Sequence, residues 1–290
     1  MLFLKSKLLI FPKWVWLYGL LGWFSAEIVT VSTPVNKIDI GTIVFSIPYY
    51  LLQLTIVADI IARKKPSLFG LFLIGLIYGI LEETFYIKNP PLLTLLLTLG
   101  HSAVTVTFPY LLVNYLIPGE KQPFLGKKGY ILIIFCLAAL YAGMAMFLPF
   151  TNIASLLLGI ILTIILLVII KLFWKKQPKS GKGAGFSIKE KLAVIFVALL
   201  ATISSQQNYL GVIIIFLWFI LRQKTANSKD IYFVTILFLI FHFLGSIFNK
   251  SADPANLWLN YQISFTVGLL ILFLLWRKRN FLQSNILHFN

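Results

Sequence analysis

Long runs of Leu, Ile, Val and Phe recur along the chain, separated by Pro, Gly and small clusters of Lys and Arg. Many of the runs approach the roughly 20 residues that a helix needs to cross a bilayer. Taking the breaks as punctuation predicts ten spans, at 14–33, 40–62, 67–87, 92–117, 129–149, 153–173, 191–205, 209–221, 230–249 and 256–276. The expected fold is an all-α, polytopic helix bundle forming one transmembrane domain over residues 1–290. Two segments complicate it. Within 191–221 two short apolar runs flank Ser204, Ser205, Gln206, Gln207 and Asn208, a pattern that fits two short spans or a re-entrant hairpin. The Lys- and Gly-rich stretch from Gln177 to Gly185 reads as a flexible cytoplasmic linker at about 175–190. Lys5, Lys7 and Lys13 precede the first span as in a signal peptide, but Trp14, Trp16 and Trp23 and the lack of a small-residue cleavage site suit a retained anchor.

Composition supports the membrane reading and charge adds an orientation. Hydrophobic residues make up 59% and charged residues 12%, at mean hydropathy +0.92. A soluble chain carries about twice that charged fraction. The formal net charge is +16, and 22 of the 25 Lys and Arg residues fall in alternate loops or at the termini. Lys37, Lys88 and Lys250 stand apart on the other side. Cations in short loops stay in the cytoplasm, so both termini are predicted to be cytoplasmic and the protein to be a multi-pass component of the plasma membrane. The basic excess then faces anionic lipid headgroups and gives no reason to invoke nucleic acid. Cys136 is the single cysteine, which excludes a disulfide framework or a thiolate metal cluster.

Polar residues at membrane depth carry the candidate chemistry, and they gather toward the outer side. Span three ends with Glu82 and Glu83, and span four places His101 roughly 14 Å below the outer boundary at 1.5 Å per residue. Span nine carries His242, with Ser246 and Asn249 above it. Gly75, Gly79 and Glu83 recur every four residues, a small-residue face that lets another helix approach. Glu82, turned about 100° away, is expected to stack with Tyr78 and Tyr86 instead. Thr94, Thr98, His101 and Thr105 form a polar stripe above Pro109, a predicted kink. Asp59 near the inner end of span two is expected to pair with Arg63.

Two resemblances arise at these residues. Ala26-Glu27, Asp59, the stretch Tyr78-Gly79-Ile80-Leu81-Glu82-Glu83, Asn89-Pro90, His101 and Pro123-Phe124-Leu125-Gly126 resemble a family of uncharacterised polytopic membrane proteins of prokaryotes. That likeness spans about the first 130 residues and implies no particular activity. A second, by residue type, is to the intramembrane CAAX-type and bacteriocin-processing proteases, with Glu82 and Glu83 as the acid pair and Phe238-x-x-x-His242 as a histidine motif. Ile87 stands where that family has Arg, and His101, followed by Thr105, precedes the Phe-x-x-x-His motif.

Three functions use this inventory. As a hydrolase, Glu82, Glu83, His101 and His242 are the candidate catalytic residues acting on a membrane-embedded peptide or lipid-linked substrate. Glu83, His101 and His242 are then candidate ligands of a divalent metal such as zinc. As a proton-coupled carrier of a small molecule, the same acids and imidazoles bind and release protons. As a non-catalytic membrane subunit or sensor, the polar seam fixes helix packing.

Overall fold

The computed structural model describes residues 11–29, 38–66, 68–85, 97–117, 119–145, 185–205 and 208–222, with isolated positions between 160 and 168, between 230 and 240, and at 266 and 270. Among the described residues the regular structure is helical, with no strand. Helix α1 runs Lys13–Trp23, α2 Ile47–Lys64, α3 Leu68–Phe85, α4 Phe108–Leu116, α5 Lys127–Ala145, α6 Ile188–Ser205 and α7 Asn208–Arg222. Three π-helical turns, Phe24–Val29, Thr42–Ser46 and Ser102–Thr107, continue α1, precede α2 and precede α4. The segment Ile43–Lys64, 22 residues, is long and apolar enough to cross a membrane by length and composition, the one such helix among the described residues. The predicted spans at 153–173, 230–249 and 256–276 lie largely outside them.

The chain turns back on itself by antiparallel pairing. Trp23 at the end of α1 donates its indole N–H to Ser46 Oγ at 3.1 Å, tying the exit of α1 to the entrance of α2. At the opposite end Asp59, buried on α2, collects four donors: Arg63 Nε at 2.5 Å, the backbone N–H groups of Phe124 and Leu125 at 2.7 and 2.9 Å, and Tyr130 Oη at 2.7 Å. The expected Asp59–Arg63 pair is therefore present, inside a larger clamp that holds the loop before α5 against the base of α2. Arg63 also donates to the Leu125 carbonyl, and Lys65 pairs with Glu120. Trp14 packs edge-on against Phe124 in the same region, with Lys121 over its ring.

Helices α6 and α7 form a second hairpin. Ser187 and Glu190 cap α6 reciprocally: Glu190 N–H donates to Ser187 Oγ at 3.2 Å, and Ser187 N–H donates to Glu190 Oε2 at 2.9 Å. Arg222, the last residue of α7, reaches Glu190 at 2.6 Å, so the first turn of α6 lies beside the last turn of α7. Asp230 accepts the Phe186 N–H at 3.0 Å and pairs with Lys191 at 2.8 Å. Phe186, Val194, Ile215 and Phe219 share an apolar core with Phe72, Phe108 and Leu112. Because Phe72 sits early in α3 and Leu112 late in α4, the hairpin's capped end joins the Asp59 end of the fold. The described helix ends rich in Lys and Arg thus collect on one side.

The π-helical turn Ser102–Thr107 has a readable cause. Pro109 has no N–H to return to the carbonyl four residues back, and its ring crowds that turn. The Phe108 N–H bonds Ala103 O, five residues back, which widens the helix there. Tyr18 Oη donates to the Val106 carbonyl at 3.1 Å, and Gly22 packs against Thr105 O, where a Cβ would lie at 2.9 Å. The predicted kink is thus taken up as a wide turn held by α1.

The cap of α6 gives a pH-dependent outcome. The Glu190 carboxyl is held below its ordinary range, chiefly by the Ser187 backbone N–H, then by the Ser187 hydroxyl and Arg222. A lowered folded value means that the stabilisation is present above the ordinary carboxylate range and is lost as pH falls through the folded value. Acidification from about pH 6 to about pH 3 should therefore lower the melting temperature of the unmodified chain more than that of Glu190→Gln. Equal losses in the two proteins would contradict the capping role.

Candidate functional site

The end opposite the basic loops holds the acids. Consecutive residues Glu82 and Glu83 occupy the last turns of α3 at 4% and 1% exposure. Their neighbour is the 97–107 segment, which approaches α3 almost backbone to backbone. A Cβ on Gly75 would lie 2.8 Å from Ser102 Cα, and one on Gly79 would lie 2.8 Å from Thr98 O and 3.1 Å from His101 Cβ. Ser102 Oγ donates to Phe72 O at 2.6 Å and fixes the register. The four-residue glycine face predicted from spacing is therefore the contact surface, and it sets His101 directly against the acids.

His101 bridges both carboxylates. Its Nε2 lies 2.8 Å from Glu83 Oε1, and its Nδ1 lies 3.2 Å from Glu82 Oε2 and 3.0 Å from Thr105 Oγ1. The expectation that Glu82 turns away from Glu83 needs correction. Successive Cβ atoms do diverge by about 100° on a helix. A glutamate side chain is long enough to bend back, however, and an imidazole placed between the two directions offers one nitrogen to each. The tyrosine that donates to Glu82 Oε1, at 2.6 Å, is Tyr50 on α2, which was not among those expected. The Tyr78 ring lies 6.2 Å from the His101 ring. Tyr86 and His242 lie outside the described residues, as do Thr94, Ser246 and Asn249.

Tyrosines extend the polar region along α2. Tyr49 and Tyr141 share a hydrogen bond at 2.9 Å, and Gln53 Nε2 donates to Tyr141 Oη at 3.1 Å. Sequence reasoning did not single out Tyr50, Gln53 or Tyr141. The available signal was Tyr49, Tyr50 and Gln53 within one turn of span two, at a depth where an anchor is not needed.

The arrangement is suited to holding protons. Two acids and one imidazole give net charge −1 when both acids are ionised and His101 carries two ring protons. One further proton or cation makes the group neutral, and an uncompensated charge is costly when buried. Direct acid–imidazole contact lets a proton pass between them without a relay. A metal would need a ring lone pair of His101, but both nitrogens already face oxygens at hydrogen-bond distance. Among the described residues no group of three or more His, Cys, Asp or Glu is arranged to hold a metal.

Replacing the bridge should be costly. His101→Leu leaves two buried carboxylates without their shared partner and should lower unfolding free energy by about 3–5 kcal/mol in a denaturing-detergent titration. Gly79→Leu should fail to yield folded protein because it drives a side chain into the Thr98 backbone. Glu82→Gln should be milder than Glu83→Gln, since its amide oxygen can still accept from Tyr50. A His101→Leu protein as stable as the unmodified one would contradict the bridge.

A model of an uncharacterised membrane protein family matches residues 16–276, well beyond the first 130 residues where its likeness is legible by eye. Neither a curated protein nor a solved structure matches the chain, and no comparison supports the protease resemblance.

Proposed function

Because the chain belongs to this uncharacterised membrane protein family, we propose that it is a proton-coupled carrier of the plasma membrane, with Glu82, Glu83 and His101 as its proton-binding centre. The observation that carries this reading is the direct contact of one imidazole with two buried carboxylates at 2.8 and 3.2 Å. Such a group changes charge by one proton at a time and transmits the change to two packed elements, α3 and the 97–107 segment. The glycine contacts between those elements, together with the π-helical turns, are features that tolerate sliding and rearrangement. In this reading the basic helix ends face the cytoplasm and anionic headgroups, the acids lie toward the outside, and the chain crosses the membrane about ten times with both termini inside.

A hydrolase acting on a membrane-embedded substrate is the second reading. It is favoured by Glu82 Oε2, a buried acceptor that makes no hydrogen bond and sits where a general base would hold water. The 2.8 Å Glu83–His101 contact weighs against it, because it occupies the position between acid and imidazole that a reacting water would take.

The two readings differ in whether protonation moves helices. Spin labels at Phe45→Cys and Leu81→Cys, in a Cys136→Ala background, report the spacing of α2 and α3 at the acidic end. Between about pH 5 and about pH 10 their distance should shift by several ångströms, on the order of one helical turn or less. His101→Gln should abolish the shift. A distance distribution indifferent to pH would contradict the carrier and leave the hydrolase.

A further inference from the structure

Beside the proton-binding centre lies a group of aromatic rings with buried polar acceptors among them. Tyr49 stands perpendicular to Tyr50, with ring centroids 5.6 Å apart at 90°, and to Tyr141, at 5.4 Å and 85°. Tyr78, one turn before Glu82, is buried. Tyr50 donates to Glu82 Oε1 at 2.6 Å, and the ring contacts carry the group from Tyr50 through Tyr49 to Tyr141.

Three buried polar atoms here have no hydrogen-bond partner among the described residues: Glu82 Oε2, Gln53 Oε1 and the Tyr78 hydroxyl. Glu82 Oε2 lies 3.2 Å from His101 Nδ1 but makes no hydrogen bond with it. Buried polar groups in folded proteins are nearly always satisfied, so several orphans at one place point to a missing partner. Glu82 and Gln53 can only accept through these oxygens. The missing partner must therefore donate.

Charge gives an independent reason. His101 lies between both acids, 2.8 Å from Glu83 and 3.2 Å from Glu82, so two carboxylates share one imidazole and one negative charge is left over when both are ionised. A carboxylate at this depth calls for a positive charge or a proton. Tyrosine faces attract cations through the ring quadrupole, and perpendicular rings bound a cation from several directions.

We propose that Tyr49, Tyr50, Tyr78 and Tyr141, with Glu82 and Gln53, form a binding site for an organic ammonium ion bearing N–H groups. The ammonium donates to Glu82 Oε2 and Gln53 Oε1, while its carbon skeleton lies against the tyrosine rings. The inference rests on the carrier reading for its meaning: Glu82 then holds either a proton or the ammonium, and exchange of one for the other couples their movements.

The probe is butylammonium, added to the purified full chain in detergent, with melting temperature as the readout; a ligand that binds the folded state raises it. Butylammonium should raise the melting temperature saturably, while butanol and matched potassium chloride should not. Glu82→Gln should abolish the rise, and Tyr141→Leu and Gln53→Leu should each weaken the apparent affinity by about fivefold or more. No saturable rise with the unmodified chain, or a rise unchanged by Tyr141→Leu and Gln53→Leu, would overturn the site even if Glu82→Gln fails to fold. The spin-label distances separate the two ideas. A pH-driven shift without butylammonium binding leaves a carrier of some other substrate, and binding without the shift leaves this site but removes the carrier.

Discussion

Two carboxylates on consecutive residues of a buried helix end demand compensation, and the packing around them is arranged to supply it. Glu82 and Glu83 are 4% and 1% exposed, so water cannot do the work. A helix points neighbouring side chains in different directions, and a single partner reaches both only if it comes very close. Gly75 and Gly79 provide that closeness by letting the 97–107 backbone press against α3. His101 then divides its two nitrogens between the acids, while Tyr50 from α2 takes the remaining side of Glu82. Three elements are thus tied to one charge requirement.

The opposite end of the fold solves a different problem. There Asp59, Glu190 and Asp230 each meet cations and backbone donors, so acids are outnumbered by partners. These clamps hold helix ends in register, and each carboxylate oxygen in them has a partner. At the Glu82 end the acids outnumber the described cation that faces them, and several acceptors stay open. The contrast between an end whose acids are fully partnered and one whose acids are not is the physical basis for placing function at the second and scaffold at the first.

Much of this was legible in residue spacing. The four-residue rhythm of Gly75, Gly79 and Glu83 marks the face where α3 is approached, and the Asp59–Arg63 spacing marks an ion pair on one helix face. The membrane character follows from composition and agrees with the family. What spacing could not supply was the third dimension. That His101 sits between two diverging acids depends on where a second element lies, and periodicity within α3 says nothing of that. Tyr50 and Gln53 showed no partner in the sequence because theirs, Glu82 and Tyr141, are 32 and 88 positions away. Pro109 announced a distortion, but that it would be a π-helical turn with a carbonyl bonded by Tyr18 depended on α1 lying alongside.

The central claim is that His101 and Glu83 act as one coupled unit across two elements. A double-mutant cycle tests it: Glu83→Gln, His101→Gln and the double variant, each unfolded by denaturing-detergent titration in the same micelles. If the 2.8 Å contact is the tie between α3 and the 97–107 segment, the two substitutions should be non-additive, with a coupling free energy of about 1–3 kcal/mol. Effects that add to within about 0.5 kcal/mol would mean that the two residues stabilise the protein independently, and the shared centre would not exist.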